Sequence, residues 1–409
     1  MKKLILVVLS YTISAISSLG QTAEVPREYV DPDTGHRVVR LSDDAGSQSF
    51  YFHQNGYTAK GNKLIFSTPN GLSAYDFKTK KIEQIVEGRA GSVIVGAKTR
   101  KIFYLRGESV FETDIDTKTT REIVKDARLR TGSGLALNSD ETVLGGSMVT
   151  GEVPAEFRQQ APQPAPTPNS SGQVPARDSY PGKGEMMERR LAAKIPMSLY
   201  TINVKNGEVK TFHRATDWLN HVQFSPTDPT LLMFCHEGPW HKVDRIWTIR
   251  IDGSELKKIH TRTMEMEIAG HEYFSPDGRY IIYDLQTPKY EVFWLAQYDV
   301  KTGKLTKHSL QKREWSVHYN MSPDGKAFSG DGGGPNSVAR GDNGQWMYLF
   351  RPENGKLKSE RLVNLAKHDY SLEPNGTFTP DGKWIVFKSN MFGPTHVFAV
   401  EISKAQASN

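Results

Sequence analysis

Short apolar runs that follow a Pro-Asp-Gly turn dominate the pattern of hydrophobic and polar residues along this chain. Three clear copies of the turn are Ser275–Gly278, Ser322–Gly325 and Thr379–Gly382, and each precedes an apolar run such as Tyr280–Tyr283. Proline fixes φ early in the turn, whereas Asp and Gly suit the later positions. Apolar runs of about four to six residues between such turns predict short β-strands that are joined as hairpins.

Weaker copies of the same turn bring the total to seven. They lie near residues 60, 97, 139 and 227, and each also precedes an apolar run. The turns are roughly 40–57 residues apart, with one interval of about 87, and four short strands with their turns need about that length. The pattern predicts an all-β protein with the fold of a seven-bladed β-propeller. The last copy lacks its final strand, and we expect the N-terminal run Arg37–Leu41 to complete that blade and close the ring.

The N-terminus has the pattern of a secretory signal peptide. Lys2 and Lys3 precede an apolar run over residues 4–16, and small residues follow up to Gly20. We therefore expect residues 1–20 to be removed and the mature protein to be periplasmic or secreted. A membrane anchor is the alternative, but the run is shorter than the roughly 20 apolar residues that a spanning helix needs. After cleavage no segment is expected to span a membrane.

Residues 21–409 are expected to form a single propeller domain that carries one insertion. Six prolines fall between Pro154 and Pro175, mixed with Gln, Ser and Asn. We interpret residues 153–185 as a flexible or polyproline-like excursion rather than a core element. A surface segment is the usual outcome for such a composition, and a lid over a site is the alternative.

Charge and cysteine content narrow the range of partners. The formal net charge is +6, or about +4 after loss of Lys2 and Lys3, and no run of five or six basic residues occurs. Nucleic acid is therefore not an expected partner, whereas an acidic ligand is compatible with the charge. The single cysteine, Cys235, excludes an intramolecular disulfide and carries no information about export.

The repeat also brings polar residues to equivalent positions. The first strand of each propeller blade lines the central channel, so residues at one offset from the turns should point to one place. Four residues before the turns lie Gln54, Ser92, Gly134, His221, His271, His318 and Asn375. Three histidines at these positions are improbable by chance, and imidazole is both a base near neutral pH and a common metal ligand. The alternative is that the positions are polar because the channel holds water.

Further polar residues lie at the end of a predicted strand or next to an equivalent position. They are His236, Glu237, His241, Arg245, Glu272 and Glu373. Glu373 precedes Asn375 by two residues, so on a strand both would share one face. Together these groups describe a site with ligands for a cation and an arginine for a carboxylate. Each is alternatively a structural polar group, and Arg245 with Asp244 a local ion pair.

At several places the sequence resembles the oligogalacturonate lyases, a polysaccharide-lyase family built on a seven-bladed propeller. The segments that carry the resemblance are Asp33–Gly35, Phe52–Asn55, Trp218–His221, Phe234–Pro239, His271–Glu272 and Thr377–Pro380. The string Cys235–Pro239 is the most specific of them. The resemblance covers most of residues 21–409 apart from the insertion.

The resemblance implies cleavage of 4-linked uronate oligosaccharides by β-elimination. A base removes the proton α to the uronate carboxylate, and the C4–O bond then breaks. The carboxylate must be neutralised because the intermediate gains a second negative charge. In the family a histidine is the base, and histidines with a glutamine hold a divalent metal. Carried over by position, His221 is the expected base, His236 the second candidate, and His271 a metal ligand.

Two positions depart from the family pattern. The His-Pro-His string of its last repeat is Glu373-Pro374-Asn375 here, and a family arginine is replaced by Ser198. Glutamate and asparagine can still bind a hard cation. The expected cofactor is therefore a divalent cation, Mn²⁺ or Ca²⁺, held by His271, Glu373 and Asn375.

The remaining candidate residues are expected to act on or bind the substrate, an acidic oligosaccharide. Arg245 is expected to assist catalysis, and the residues expected to contact the substrate are Gln54, His241 and His318. The alternative function is a non-catalytic periplasmic propeller that binds a sugar or a protein partner.

Overall fold

The computed structural model describes residues 24–131, 133–154, 157, 179–334, 337, 338 and 343–405. The predicted signal peptide over residues 1–20 and most of the predicted insertion over residues 153–185 lie outside these ranges, so both stay predictions. The described chain consists mainly of short antiparallel strands, which confirms the all-β class.

The strands of the described residues form six hydrogen-bonded sheets. We divide them into seven units, because the eight-stranded sheet consists of two antiparallel halves joined by one parallel pair. Unit 1 contains β3 (Lys63–Thr68), β4 (Gly71–Asp76) and β5 (Ile82–Glu87). Unit 2 contains β6 (Gly91–Val95), β7 (Lys101–Arg106), β8 (Ser109–Asp114) and β9 (Thr120–Lys125). Unit 3 contains β10 (Ser133–Leu137), β11 (Val143–Val149), β12 (Met197–Asn203) and β13 (Val209–Ala215).

The next three units each have four antiparallel strands. Unit 4 contains β14 (Trp218–Phe224), β15 (Leu231–Glu237), β16 (Ile246–Arg250) and β17 (Lys257–Lys258). Unit 5 contains β18 (Ile268–Phe274), β19 (Tyr280–Gln286), β20 (Phe293–Asp299) and β21 (Leu305–Ser309). Unit 6 contains β22 (Tyr319–Met321), β23 (Phe328–Gly330), β24 (Trp346–Glu353) and β25 (Lys356–Asn364). One parallel pair, Ser309 with Lys356, joins units 5 and 6 into one sheet.

Unit 7 combines strands from both ends of the chain. It contains β26 (Thr377–Phe378), β27 (Trp384–Ser389), β28 (His396–Lys404), β2 (His36–Arg40) and β1 (Glu28–Val30). Strand β2 pairs antiparallel with β28, and Val38 lies opposite Val400. The N-terminal strand thus covers the hydrogen-bonding edge that β28 would otherwise expose, which is the pairing expected from the sequence pattern.

Apolar clusters lie between the units rather than within them. Each pair of consecutive units shares one cluster of buried side chains. A further cluster lies between units 7 and 1, where Phe66 of β3 packs with Val386 and Val397. Because each sheet packs on both faces, strands such as β27 have consecutive apolar residues instead of strict alternation. This packing holds the first strands of the units in fixed relative positions.

The Pro-Asp-Gly turns have the structure that the sequence predicts. In the copy at Ser275, the hydroxyl donates to Asp277 at 2.6 Å and accepts the Tyr280 N–H at 2.8 Å. Gly278 has a φ of 69°, a left-handed conformation that glycine adopts without strain. Equivalent bonds form at Ser322 and Thr379. Each turn therefore fixes where the second strand of its unit begins.

The described residues include one α-helix with defined bounds, α1 (Ser179–Ala193), and two short 3-10 helices, Ala127–Thr131 and Lys312–Glu314. Helix α1 leads into β12 and begins inside the segment predicted as an insertion, where the sequence pattern indicated no regular element. Arg190 of the helix lies over the Trp218 ring, 4.4 Å from its centroid. None of the helices described is long and apolar enough to cross a bilayer.

Candidate active site

A polar cavity of about 370 Å³ is lined by residues from the first strands of the units and from the segments beside them. The predicted site residues that line it are Gln54, His221, Arg245, His271 and Glu373. The other lining residues are Tyr51, His53, Gly134, Leu135, Asn220, Val222 and Trp240. The repeat offset therefore identified side chains that are distant in sequence and share one cavity.

Five of the seven equivalent positions share a backbone feature that the repeat did not predict. Ser92, Gly134, His221, His271 and Asn375 all have left-handed φ values, between 47° and 69°. In units 2 to 5 the pairing of the first two strands shifts register at this position, as at a β-bulge. A bulge leaves one residue unpaired and changes the direction of its side chain. Left-handed backbone at non-glycine residues costs free energy and is concentrated at functional sites.

His221 lies against a buried carboxylate. Its Nε2 is 3.2 Å from Oε2 of Glu237, whose side chain is 2% exposed. Oε1 of Glu237 accepts hydrogen bonds from Nη1 of Arg245 at 2.8 Å and from Nε1 of Trp240 at 3.3 Å. Nε of Arg245 donates to Oε2 of Glu272 at 3.0 Å. The result is a buried chain of polar groups that begins at His221 on the cavity wall. Sequence reasoning named Glu237 and Glu272 only as neighbours of other candidates.

Two carboxylates and one guanidinium give this cluster an excess negative charge. Burial raises the pKa of the Glu272 carboxyl, but Arg245 more than offsets this and holds that pKa below its ordinary value. Burial also opposes the charge on Arg245, yet its acidic neighbours raise its pKa well above the ordinary value. Arg245 was expected to assist catalysis. It lines the cavity, but Glu237 and Glu272 already neutralise its charge.

One trio at this site has atoms close enough to hold a metal, but its chemistry is unsuitable. Potential ligand atoms of His221, Cys235 and Glu237 lie within 4.8 Å of one another. Burial raises the pKa of the Cys235 thiol well above its ordinary value, so the thiolate that a metal needs is disfavoured. The guanidinium of Arg245 lies 2.8 Å from Glu237 and would repel a second cation. We therefore interpret the trio as part of the hydrogen-bond network.

Two histidines in adjacent units repeat one arrangement. Nδ1 of His271 lies 2.7 Å from Oδ1 of Asp284, and Nδ1 of His318 lies 2.7 Å from Oδ2 of Asp331. The two rings meet edge to face with their centroids 4.9 Å apart. An Nδ1–H that donates to a carboxylate fixes the tautomer and leaves the Nε2 lone pair for a metal ion.

His318 supplies the test of whether a cation fits here. Its Nε2 is buried and has no hydrogen-bond partner among the described residues, and it lies 3.7 Å from Oε2 of Glu373. Burial lowers the pKa of His318, but Asp331 more than offsets this and raises the pKa above its ordinary value. An unpaired buried polar atom is costly unless a ligand engages it. Two imidazoles and the 53%-exposed Glu373 carboxylate are ligand types that suit a divalent cation. Their ligand atoms do not all lie within 4.8 Å of one another, so side chains would have to move to bind one ion together.

Asn375 has contacts of a different kind. Its Oδ1 accepts the Phe52 N–H at 3.2 Å, and its Nδ2 donates to the Glu373 carbonyl oxygen at 3.1 Å. Residues 373–375 are irregular rather than a strand, so Glu373 and Asn375 do not share a face. Glu373 lines the cavity, whereas the buried Asn375 amide ties this segment to the Phe52 loop. These contacts do not support its assignment as a metal ligand.

Three predicted histidines, His236, His241 and His318, are not among the residues that line the cavity. His236 lies on β15 next to Glu237 but on the opposite face, because side chains alternate along a strand. Its ring packs 4.9 Å from the Trp247 ring. His241 follows β15, is partly exposed, and its carbonyl oxygen accepts a hydrogen bond from Arg262.

His53 is a cavity residue that the repeat offset missed, because it lies one residue before the equivalent position at Gln54. Burial and the neighbouring His221 lower the pKa of His53 from 6.5 to about 3. Below pH 6.5 the unfolded chain therefore binds a proton at His53 that the folded chain does not bind. His53 therefore leaves the free energy of unfolding unchanged above pH 6.5 and lowers it progressively as the pH falls towards 3.

We expect the free energy of unfolding to fall by about 2 kcal/mol between pH 7.5 and pH 5 because of His53 alone. Urea unfolding at both pH values measures the total decrease, to which other buried histidines also contribute. In His53→Gln the decrease should be smaller than in the wild type by that amount. Equal decreases in the two proteins would contradict the inference that His53 is neutral in the folded protein.

The fold and the cavity define an all-β protein in which two histidines, His221 beside Glu237 and His271 beside Asp284, line one cavity. A sequence profile of the family described as oligogalacturonate lyase matches residues 189–406, more than half of the chain. The chain therefore belongs to the oligogalacturonate lyase family, which confirms the resemblance found in the sequence.

Similar proteins match over nearly the whole length of the chain. An oligogalacturonide lyase of Pectobacterium atrosepticum is 25% identical over 402 residues, which cover 91% of this chain and 95% of the relative. An oligogalacturonate lyase of Dickeya dadantii is 26% identical with the same coverage. A solved structure of an oligogalacturonate lyase in complex with manganese has a TM-score of 0.74 at 24% identity and covers 92% of this chain and 96% of its own.

Proposed function

We propose that this protein is a lyase that cleaves 4-linked oligogalacturonates by β-elimination. The observation that carries the proposal is that His221, His271 and Glu373 line one cavity. This arrangement offers a base for the C5 proton and, beside it, a site for positive charge near the uronate carboxylate. Membership of the oligogalacturonate lyase family supports the same reaction.

The reaction needs a proton acceptor and a compensating positive charge. His221 is the proposed base, because it lines the cavity and is held by Glu237. Neutral imidazole accepts protons efficiently near pH 7, and positioned acid–base catalysis is typically worth about 10²- to 10⁴-fold. Arg245 is neutralised by two glutamates, so we do not assign the substrate carboxylate to it.

We propose that His271, His318 and Glu373 hold the divalent cation. The paired Asp284 and Asp331 orient the two imidazoles and add negative charge behind them. A cation there would offset the substrate carboxylate and stabilise the charge that develops next to it. Imidazole ligands favour Mn²⁺ over Ca²⁺, which prefers oxygen ligands, and one structure with this fold is described as a complex with manganese.

We propose that the seven units form one closed seven-bladed propeller over residues 21–409. The pairing of β2 with β28 and the apolar cluster between units 7 and 1 support closure. The pattern of residues 1–20 supports export to the periplasm or the medium. These expectations suit an enzyme that meets an acidic oligosaccharide outside the cytoplasm.

An absorbance assay tests the function. Purified protein is mixed with galacturonate oligomers of increasing length, with neutral oligomers as controls, in the presence of Mn²⁺, Ca²⁺ or a chelator. β-Elimination forms a conjugated 4,5-unsaturated uronate that absorbs in the ultraviolet, and we expect it only from the acidic oligomers and least with chelator. If Mn²⁺-loaded protein binds the oligomers and yields no absorbing product, the alternative of a non-catalytic binding protein is correct.

A further inference from the structure

Glu237 is the buried group in direct contact with the proposed base. Its side chain is 2% exposed, and its two oxygens meet different partners. Oε1 accepts from Arg245 and Trp240, at 2.8 Å and 3.3 Å. Oε2 lies 3.2 Å from Nε2 of His221 and also accepts from Nδ2 of Asn220 at 3.5 Å and from Sγ of Cys235 at 3.8 Å. Because Arg245 fixes Oε1, the position of Oε2 is fixed as well.

Nε2 of His221 and Oε2 of Glu237 lie 3.2 Å apart, an ion-pair distance. A lone pair on Nε2 would face the negative oxygen and be repelled, so the contact favours the His221 proton on Nε2. The lone pair of the neutral ring is then on Nδ1. We propose that Glu237 is a positioning residue that holds His221 in the Nε2–H tautomer, so that Nδ1 is the atom that removes the substrate proton. This inference rests on the proposed lyase function.

The C5–H bond breaks and its proton forms a bond with Nδ1 of His221. The electron pair forms the C4=C5 double bond, the C4–O bond breaks, and the departing oxygen takes a proton from water. The ring is then an imidazolium, and the excess negative charge of Glu237, Arg245 and Glu272 stabilises it until Nδ1 returns its proton to solvent.

Glu237→Gln tests this assignment sharply because Arg245 dictates how the new amide is oriented. The guanidinium needs an acceptor, so the amide oxygen should face Arg245 and the amide N–H₂ should face Nε2 of His221. That donor favours the opposite tautomer and places the ring proton on Nδ1. In the serine-protease triad, an asparagine that replaces the orienting aspartate in the same way lowers kcat by about 10⁴-fold.

We expect Glu237→Gln to lower kcat by about 10²- to 10⁴-fold while KM changes by less than about threefold. Glu272→Gln is the matched control, because it also removes a carboxylate from Arg245, whereas His221 lies against Glu237. We expect its loss of kcat to be at least tenfold smaller. In a His221→Ala background Glu237→Gln should cause no further loss, because the residue it positions is absent.

Two kinetic results would overturn the assignment. One is a Glu237→Gln variant within about threefold of the wild-type kcat. The other is an equal fractional loss from Glu237→Gln with and without His221, which would show a structural role.

Imidazole ¹⁵N NMR of the substrate-free wild type reports the tautomer without any activity measurement. The His221 signals are assigned by their absence in His221→Asn. We expect the Nε2–H form of His221 at pH 8, and finding the Nδ1–H form would overturn the proposal even if Glu237→Gln does not fold. If the wild type shows no lyase activity, the proposed function fails, whereas the tautomer measurement still decides the role of Glu237.

Discussion

His221→Ala should lower kcat by about 10²- to 10⁴-fold, the loss expected when a positioned general base is removed. We propose no role for His221 in holding the substrate or the cation, so binding of the oligosaccharide should be largely retained. The rate is measured by ultraviolet absorbance, and binding by quenching of tryptophan fluorescence, since Trp240 lines the same cavity.

The matched control for this variant is His236→Ala. His236 comes from the same Cys-His-Glu string, but it packs on the opposite face of β15 against Trp247. Its removal should leave kcat within about threefold of the wild type. If His236→Ala abolishes turnover and His221→Ala does not, the base assignment is wrong and the first alternative from the sequence is correct.

Loss of the cation should follow from substitution of either imidazole that we assign to it. His271→Ala and His318→Ala each remove one of a small number of ligands, so bound Mn²⁺ and activity should fall together. Asp331→Asn leaves both imidazoles in place but weakens the group that orients His318, and changes of this kind typically cost 10- to 100-fold in metal affinity. Mn²⁺ content by elemental analysis and Mn²⁺ titration by electron paramagnetic resonance measure binding directly.

His213→Ala is the control for nonspecific loss of metal. His213 is a partly exposed residue of β13 that does not line the cavity. Its removal should change neither Mn²⁺ affinity nor activity. The comparison of His318→Ala with Asn375→Ala separates two ligand sets, because the sequence favoured Asn375 and its contacts in the fold do not. Full Mn²⁺ affinity in His318→Ala together with loss of affinity in Asn375→Ala would restore the assignment made from the sequence.

The site could be predicted in part because the fold repeats. A fixed offset from the turns identified His221 and His271, and both line the cavity. The same offset gave Asn375, whose amide is used in backbone hydrogen bonds. The offset alone does not show whether nearby backbone groups already hydrogen-bond to a polar side chain. His53 was missed because it lies one residue from the equivalent position, in a segment with no regular strand.

The roles of the charged groups could not be predicted from spacing. From the sequence, Arg245 was interpreted as a cation able to bind a carboxylate, with a local ion pair to Asp244 as the alternative. In the fold its partners are Glu237, eight residues earlier, and Glu272 of the next unit. The sequence assigned His318 to substrate contact, and this stays a prediction. Its hydrogen bond to Asp331 and its unpaired Nε2 are the reasons that we propose it as a metal ligand.

The sequence by itself determined the class of fold, the hairpins and the group of residues in which the site would be found. Turn chemistry and the apolar pattern act over a few residues, so they can be recognised without knowledge of the rest of the chain. Only the tertiary structure decided which polar groups face the cavity and which charges are already neutralised. Left-handed bulges set the direction of His221 and His271, and sheet packing brings Glu237, Arg245 and Glu272 together. Such contacts depend on burial and on distances between separate strands, which no local pattern encodes.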